Sequence, residues 1–218
     1  EGRYFIPNYR NQTAGVFWIE RMRIDSTLTL EAGVRGDFKH LQIFKWENNV
    51  IISPVHQFSN ISGTLGAVWR IREHFHLLVN AGSAWRAPGV HELYSNGLHH
   101  GAAAVEVGDR TLTTEKAYSA VATLNYHDHK NIEAEVSAYY MLFDGFIYAK
   151  PVQPPTLTIR GAFPTFYYTQ TDATLKGVDV TVNWTFVKNL ELVTKASLLR
   201  ARNTTAGEWL QLMPADRI

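Results

Sequence analysis

Residues 26–38 read Ser-Thr-Leu-Thr-Leu-Glu-Ala-Gly-Val-Arg-Gly-Asp-Phe, and this stretch decides the fold class. Its even positions from Leu28 to Val34 are all apolar, whereas the odd positions between them carry threonine, glutamate and glycine. Successive side chains of a β-strand point to opposite faces of a sheet, so apolar residues at every second position indicate a strand. The stretch therefore predicts a strand with one apolar face and one polar face.

The same period of two recurs along the rest of the chain. Strict copies lie at 116–126, 131–142 and 177–186, and weaker copies lie at 13–22, 60–71, 74–85 and 190–202. No segment has the helical period of about 3.6 residues that marks an amphipathic helix. The sequence therefore predicts an all-β chain with eight readable strands.

The connections between these strands alternate between short and long. The short links are Ile24-Asp25, Arg72-Glu73, 127–130 and Lys188-Asn189, and the long links are 40–59, 87–114, 149–164 and a segment after Arg202. An antiparallel up-and-down sheet gives this order when all tight turns lie at one end and all long loops at the other. Transmembrane β-barrels have this asymmetry, with short turns on one side of the membrane and longer external loops.

Alternation alone fits two environments for the apolar face, namely the core of a soluble β-sandwich and the lipid around a barrel. Three features favour the barrel: long strands, one-sided loops, and aromatic residues near strand ends. These aromatic residues, of the kind that forms interfacial girdles, are Trp18, Trp69, Trp85, Tyr118, Tyr126, Tyr148 and Trp184. The fold predicted is an antiparallel up-and-down transmembrane β-barrel wall.

This fold predicts which side chains face lipid and which face the barrel interior. The residues expected to point outward are Leu28, Leu30, Ala32, Val34, Tyr118, Ala120, Ala122, Leu124, Val136, Ala138, Val180 and Val182. Those expected to point inward are Glu31, Arg35, Thr123, Asn125, Glu133, Glu135, Asp179 and Asn183. Charged side chains within strands need such a wet interior, because burying them unpaired in an apolar environment is costly.

Composition narrows the classes of function. The chain has 218 residues, with 21 basic and 20 acidic side chains, so its net charge of +1 gives no electrostatic reason to expect a nucleic-acid partner. The absence of cysteine excludes a disulfide framework, a thiolate zinc site and a cysteine nucleophile. The sequence has no Gly-rich phosphate loop, Gly-x-Ser-x-Gly or His-Glu-x-x-His motif. We therefore expect no enzyme activity.

Four motifs, in order along roughly residues 13–218, resemble a signature of TonB-dependent outer-membrane receptors. They are Trp85-Arg86-Ala87-Pro88 with Glu92-Leu93-Tyr94 and Gly97, then Gly108-Asp109 with Leu112 and Glu115-Lys116, then Thr171-Asp172-Ala173 with Leu175, Gly177 and Asp179, and finally the segment 213–218, Met-Pro-Ala-Asp-Arg-Ile. In the third motif this chain has Asp179 where the family pattern has glutamate.

The resemblance implies that residues 1–218 form part of one receptor β-barrel domain. We expect a partial wall of about eight to ten strands, from the C-terminal part of a barrel of about 22 strands. The family's N-terminal plug domain is missing from this sequence, so we expect a fragment that does not form a sealed transporter alone. A complete eight-stranded barrel is the competing count.

The resemblance also implies function and location. A receptor of this family lies in the outer membrane of a Gram-negative cell, surrounded by outer-membrane lipid, and takes up a scarce nutrient with energy supplied by a TonB-type transducer through the plug. An iron–siderophore, haem or metal complex is the favoured ligand, and a free transition metal, a glycan or vitamin B12 remains open. No resident cofactor is expected; metal or haem would be bound only as the transported ligand.

The 87–114 loop gathers more potential ligands than any other loop. We expect Glu92, Leu93 and Tyr94 to anchor it, which leaves the contact candidates His91, His99, His100, Glu106 and Asp109. Imidazole and carboxylate groups suit transition metals, and an axial histidine suits haem. Alternatively these are solvated loop residues, and the spacing of His99 and His100 does not identify a particular metal.

Two other classes of function compete with the receptor. A soluble β-sandwich that binds carbohydrate through Trp and Tyr would pack its apolar faces against protein. An outer-membrane β-barrel hydrolase would need a nucleophile–base pair, and none is convincingly spaced.

Overall fold

The computed structural model describes residues 5–128 and 130–218, which form one twelve-stranded sheet with a single helical turn. In chain order the elements are β1 (Asn8–Arg23), β2 (Leu28–Glu47), β3 (Val50–Ile52), β4 (Val55–Arg72), β5 (Phe75–Arg86), α1 (Val90–Tyr94), β6 (Asn96–His99), β7 (Ala104–Val107), β8 (Glu115–His127), β9 (Ile132–Thr158), β10 (Gly161–Val187), β11 (Leu190–Asn203) and β12 (Glu208–Trp209).

The sheet runs in the order β1-β2-β4-β5-β8-β9-β10-β11-β12, and every neighbouring pair on this path is antiparallel. Its eight long strands are the eight that the alternation predicts, so the all-β, up-and-down prediction is confirmed. Within the described part of the chain the path is open, with β1 at one end and β12 at the other.

Two of the predicted long loops are instead strands. The 40–59 region continues β2 to Glu47 and turns at Asn48-Asn49, whose φ values of 51° and 61° are those of a tight hairpin turn. The 149–164 region extends β9 and β10 to 27 residues each, joined by a turn at 159–160. Prediction failed there because the prolines Pro151, Pro154 and Pro155 argue against a strand. They are tolerated because β8 pairs with β9 only as far as Asp144, which leaves this part of β9 as an edge.

Side-chain hydrogen bonds stabilise two of the short turns. The Asp128 carboxylate accepts hydrogen bonds from the backbone N–H groups of Ile132, Lys130 and Asn131 at 2.9, 2.8 and 2.7 Å. These bonds favour the ionised carboxylate and lower the pKa of Asp128 to about 2. In the first turn the Asp25 carboxylate likewise accepts hydrogen bonds from the backbone N–H groups of Thr27 and Leu28. The sequence prediction of tight turns at these two places is confirmed.

The strand registers separate the predicted outward and inward residues onto opposite faces of the sheet. Thr123, Ser137 and Asp179 lie in one row across β8, β9 and β10, and the Thr123 and Ser137 hydroxyls are 2.7 Å apart. The next row holds Leu124, Val136 and Val180 on the other side. We call these the polar face and the apolar face of the sheet.

No second sheet covers the apolar face within residues 5–128 and 130–218, and many of its large side chains are exposed. Val34, Leu65 and Leu142, for example, are 48%, 67% and 46% exposed. A β-sandwich would bury these residues, so the soluble-sandwich alternative does not describe this fold. No helix among the described residues is long and apolar enough to cross a membrane.

The aromatic residues only partly follow the prediction of girdles at strand ends. Trp69, Tyr126 and Trp184 lie close to the short-turn ends of their strands, as expected. Trp18 was placed at a strand end wrongly, because it pairs with Val34 in the middle of the apolar span. The indole N–H of Trp85 donates to Asp37 at 3.4 Å, which gives it a polar partner on β2.

The position of Ala122 allows a direct test of the apolar face. Ala122 lies on β8 in the middle of an apolar run, opposite Val79 and Ala138. Replacing Ala122 with Arg should cost about 2–4 kcal/mol of folding free energy, because a cation at the bilayer midplane loses its hydration. The measurement is denaturant unfolding of the protein in lipid vesicles. Asn125→Arg, on the polar face of the same strand, is the matched control, and equal losses in both variants would contradict the assignment of faces.

Candidate functional site

The segment 87–114, which we call the 87–114 loop, lies between two tall hairpins. β5 ends at Arg86 and β8 begins at Glu115, whereas the β2–β3 and β9–β10 hairpins continue well beyond that level. Pro88 follows the end of β5, where its missing N–H costs no ladder hydrogen bond. The backbone then forms α1, and the Glu92 carboxylate accepts a hydrogen bond from the Gly89 N–H at 2.6 Å.

The apolar side of α1 packs against the wall. Leu93 and Tyr94 are 1% and 6% exposed, and they join Leu41 and Ile43 of β2, both fully buried. The other members of this cluster are Leu112, Ile147, Val90 and Tyr168. Leu41 and Ile43 occupy odd-numbered positions of β2, as Glu31 and Arg35 do, so their side chains lie on the polar face of the sheet. Because α1 packs against them, the loop covers the polar face. The prediction that Leu93 and Tyr94 anchor the loop is therefore confirmed.

An ion-pair network under α1 connects the loop to β5, β8 and β9. Arg86 donates to both Glu92 carboxylate oxygens at 2.9 and 2.8 Å and to Glu115 at 3.0 Å. Glu115 also accepts from the Ile147 backbone N–H at 2.7 Å. Both carboxylates are buried, so each depends on these hydrogen bonds to offset its lost hydration. The network holds the start of the loop, its end and the β9 extension together.

The middle of the loop forms a hairpin that adds to the sheet. β6 and β7 pair with each other, and β7 pairs in parallel with β10 through Val105–Thr165 and Glu106–Phe166. This edge of β10 is available because β11 pairs with β10 only from Ala173 onward. Further along the loop, the Gln170 side chain accepts from the Thr113 N–H at 2.8 Å and donates to its carbonyl at 3.1 Å.

Four side chains form a continuous line along the outer surface of the loop. Glu106 accepts from the Tyr168 hydroxyl at 2.9 Å, and its other oxygen is 2.8 Å from His99 Nδ1. The His91 ring meets the Tyr168 ring edge-on, with centroids 5.6 Å apart. We call His91, Tyr168, Glu106 and His99 the His–Tyr line. Burial and the hydrogen bond to Glu106 raise the pKa of Tyr168, so its hydroxyl remains a donor.

The five predicted contact candidates therefore have different surroundings. His91 and His99 are exposed, and Glu106 connects His99 to the wall. His100 lies in an exposed turn, and its carbonyl accepts from the Ala103 N–H at 3.4 Å. Asp109 is used locally, because its carboxylate accepts from the N–H and hydroxyl of Thr111 at 2.8 and 2.6 Å. Among residues 5–128 and 130–218, no three His, Asp or Glu side chains are grouped as metal ligands.

Several side chains that contact the 87–114 loop were missed by sequence reasoning. Phe5 stacks on the His99 ring at 4.8 Å, and His56 Nε2 is 2.7 Å from the Tyr94 hydroxyl. Burial lowers the pKa of His56. The Arg110 guanidinium lies 5.2 Å from the centre of the Tyr94 ring. Phe5 and His56 lie far from the loop in sequence and have no motif around them, so only the folded chain reveals their role.

Removing the central cation of the network should loosen the loop. Arg86→Gln leaves the Glu92 and Glu115 carboxylates buried without their counter-ion. We expect a loss of about 2–3 kcal/mol, less than for a fully buried pair, because the Arg86 side chain is 42% exposed. Thermal unfolding of the protein measures the loss. Arg21→Gln removes an exposed pair with Glu31, away from the loop, and should cost below about 1 kcal/mol. If Arg86→Gln lowers the free energy of unfolding no more than the control variant does, the network does not hold the loop.

The close contact between Gly108 and α1 provides a second test. A Cβ atom at Gly108 would lie 2.6 Å from the Leu93 carbonyl carbon and from the Tyr94 nitrogen, which are backbone atoms that cannot move away easily. Gly108→Ala should therefore displace α1 and make the loop several-fold more sensitive to limited proteolysis. Gly101→Ala is the control in the same loop, since a Cβ there meets only the His99 ring at 3.7 Å. Equal cleavage rates in the two variants would contradict the packing described here.

Comparison with solved structures shows the same fold in several proteins. The chain resembles "Copper transporter OprC" with a TM-score of 0.79 at 16% identity, covering 95% of this chain and 32% of that one. It resembles the ferric yersiniabactin uptake receptor FyuA from Yersinia pestis with a TM-score of 0.61 at 11% identity, covering 92% of this chain and 28% of that one. It also resembles the hemophore receptor HasR of Serratia marcescens, solved with its hemophore HasA and heme, with a TM-score of 0.60 at 16% identity, covering 88% of this chain and 34% of that one.

The chain thus spans about a third of the length of these proteins. A search of curated proteins found no match. The family model described as "TonB dependent receptor-like, beta-barrel" matches residues 2–217, nearly the whole chain. This match agrees with the open antiparallel wall, its exposed apolar face and the motifs around Arg86 and Gly177. The chain belongs to the family of TonB-dependent receptor β-barrels.

Proposed function

We propose that this chain is part of an outer-membrane receptor that takes up a metal complex, with an iron–siderophore or haem as the favoured class. Family membership supports a receptor rather than an enzyme, in agreement with the missing catalytic motifs. The apolar face suits the hydrocarbon of the outer membrane of a Gram-negative cell. Energy would come from a TonB-type transducer that acts through a plug domain of the whole receptor.

The observation that carries the ligand proposal is the His–Tyr line on the 87–114 loop. Its imidazoles lie beside aromatic rings, since His99 stacks on Phe5 and His91 meets Tyr168 edge-on. Such a surface offers both apolar ring contact and nitrogen ligands, which together suit a planar or aromatic metal chelate. The proteins of similar fold are named for the transport of copper or iron and the uptake of ferric yersiniabactin, which supports the same class.

The loop also has the construction that a capture surface needs. Its base is rigid, because α1 is buried against β2 and connected to Arg86, while its outer surface exposes His91, His99 and His100. Rigid support reduces the ordering cost that binding would otherwise incur. In this proposal Glu106 orients His99, and His91, His99 and His100 contact the ligand. Asp109 remains a contact candidate of lower rank, because Thr111 already occupies its carboxylate.

A free transition metal is the second candidate ligand. The pair formed by His99 and Glu106 at 2.8 Å has the donor types that such ions accept. A third donor would have to come from the movement of His91 or from the ligand itself.

Replacing His91 and His99 together with Ala tests the capture surface. We expect the dissociation constant for the transported complex to rise roughly tenfold or more, about 1.4 kcal/mol per factor of ten. Binding of haemin and of ferrioxamine B to the purified full-length receptor is measured by quenching of tryptophan fluorescence. His40→Ala, on the apolar-face side of β2, is the matched control. If the double variant binds a complex as tightly as the parent does, these histidines are solvated loop residues that do not contact the ligand.

A further inference from the structure

A basic cluster lies on the apolar-face side of the sheet, at the end that carries the 87–114 loop. Lys176 of β10 pairs with Arg200 of β11, and Arg202 follows two positions later on the same side. Residues directly opposite in an antiparallel pair have Cβ atoms about 5 Å apart, so the three cations are neighbours. All three residues are exposed. We call Lys176, Arg200 and Arg202 the basic cluster.

The cluster lies directly above the band of exposed apolar side chains on the apolar face, which we call the apolar belt. The pair below Lys176 and Arg200 on the same side is Val178 and Leu198, which are 38% and 45% exposed, and further apolar residues continue toward the short turns. Two aromatic side chains border the cluster: Tyr140 opposite Lys176, and Trp209 opposite Arg202, exposed by 46% and 65%. Cations and amphipathic rings at one level are typical of the headgroup region of a bilayer.

The charges of the cluster are only partly neutralised. Asp216 forms a bidentate pair with Arg200 at 2.6 and 2.9 Å, and both side chains are about half exposed. The Arg202 guanidinium donates to the Gly207 carbonyl at 3.2 Å and keeps its charge. Lys176 has no ion-pair partner among residues 5–128 and 130–218. Two net positive charges therefore remain at headgroup level, where an unpaired anion would complement them.

We propose that the basic cluster binds the phosphate group of an anionic lipid in the external leaflet of the membrane. Arg202 and Lys176 contact the phosphate oxygens, Trp209 and Tyr140 flank the headgroup, and the acyl chains lie along Val178 and Leu198. Arginine suits a phosphate because its planar fork donates two parallel hydrogen bonds. This proposal rests on the outer-membrane location proposed above, but it concerns neither the loop nor the transported ligand.

The test compares two triple variants of the full-length receptor in detergent. Lys176→Gln/Arg200→Gln/Arg202→Gln removes the cluster, and Arg23→Gln/Arg72→Gln/Lys188→Gln removes the same charge near the short turns. Binding of bisphosphorylated lipid A is measured by native mass spectrometry. We expect the cluster variant to bind on the order of 100-fold more weakly, about fivefold for each of the three cations removed. The control should bind as the parent does, and added salt should weaken the parent's binding.

If the triple variant folds poorly, a single substitution that raises the net positive charge of the cluster still tests the proposal. Asp216→Asn removes the only acidic partner of Arg200 among the described residues and should tighten lipid A binding about fivefold. Unchanged binding in both Asp216→Asn and the cluster variant would overturn the proposal, as would an equal loss in the two triple variants. Competition by inorganic phosphate at the same concentration as lipid A would show a site for free phosphate instead. Uptake of the metal complex is a separate readout, so failure here leaves the proposed function untouched.

Discussion

Continuous backbone pairing between neighbouring strands is the constraint on which the rest of this structure depends. A strand surrounded by lipid has no water to satisfy its N–H and C=O groups, so each group must bond to an adjacent strand. The registers from β1 to β11 meet this requirement with few interruptions through the apolar belt. Once the registers are set, each side chain is assigned to one of two faces. A slip of one residue would exchange Ala122 for Thr123 on the lipid side.

Above the apolar belt the same sheet supports the 87–114 loop. There the β2–β3 and β9–β10 hairpins are no longer bounded by lipid, and their inner sides become the floor on which the 87–114 loop packs. Leu41 and Ile43 are buried because α1 covers them, and Ile147 is buried for the same reason. Arg86 connects this floor to the membrane strands, since it lies at the last position of β5 and reaches both Glu92 and Glu115. The loop is therefore part of the wall rather than a flexible appendage.

The two proposed sites use opposite sides of one sheet. On one side the 87–114 loop presents the histidines and aromatic rings that are proposed to contact the ligand. On the other side Lys176, Arg200 and Arg202 present the positive charge that is proposed to bind a lipid phosphate. β10 contributes Tyr168 to the first site and Lys176 to the second, although an uninterrupted alternation would place two residues eight positions apart on the same face. Between them, the irregular pairing at Thr171–Ala173 marks where the strand leaves the belt.

The sequence by itself determined the eight long strands, their up-and-down order and the faces of residues such as Leu30, Glu31 and Val180. It could do so because lipid and a wet interior impose a strict period of two on each strand that lies between them. It could not determine where the strands end, because that period fades above the belt and the prolines of β9 resemble a loop. The sequence also grouped His91, His99, His100, Glu106 and Asp109 only by their position in one loop. The tertiary structure decided that Glu106 joins His99 to Tyr168. That choice depends on the pairing of β7 with β10, a contact between segments some 60 residues apart that no local pattern records.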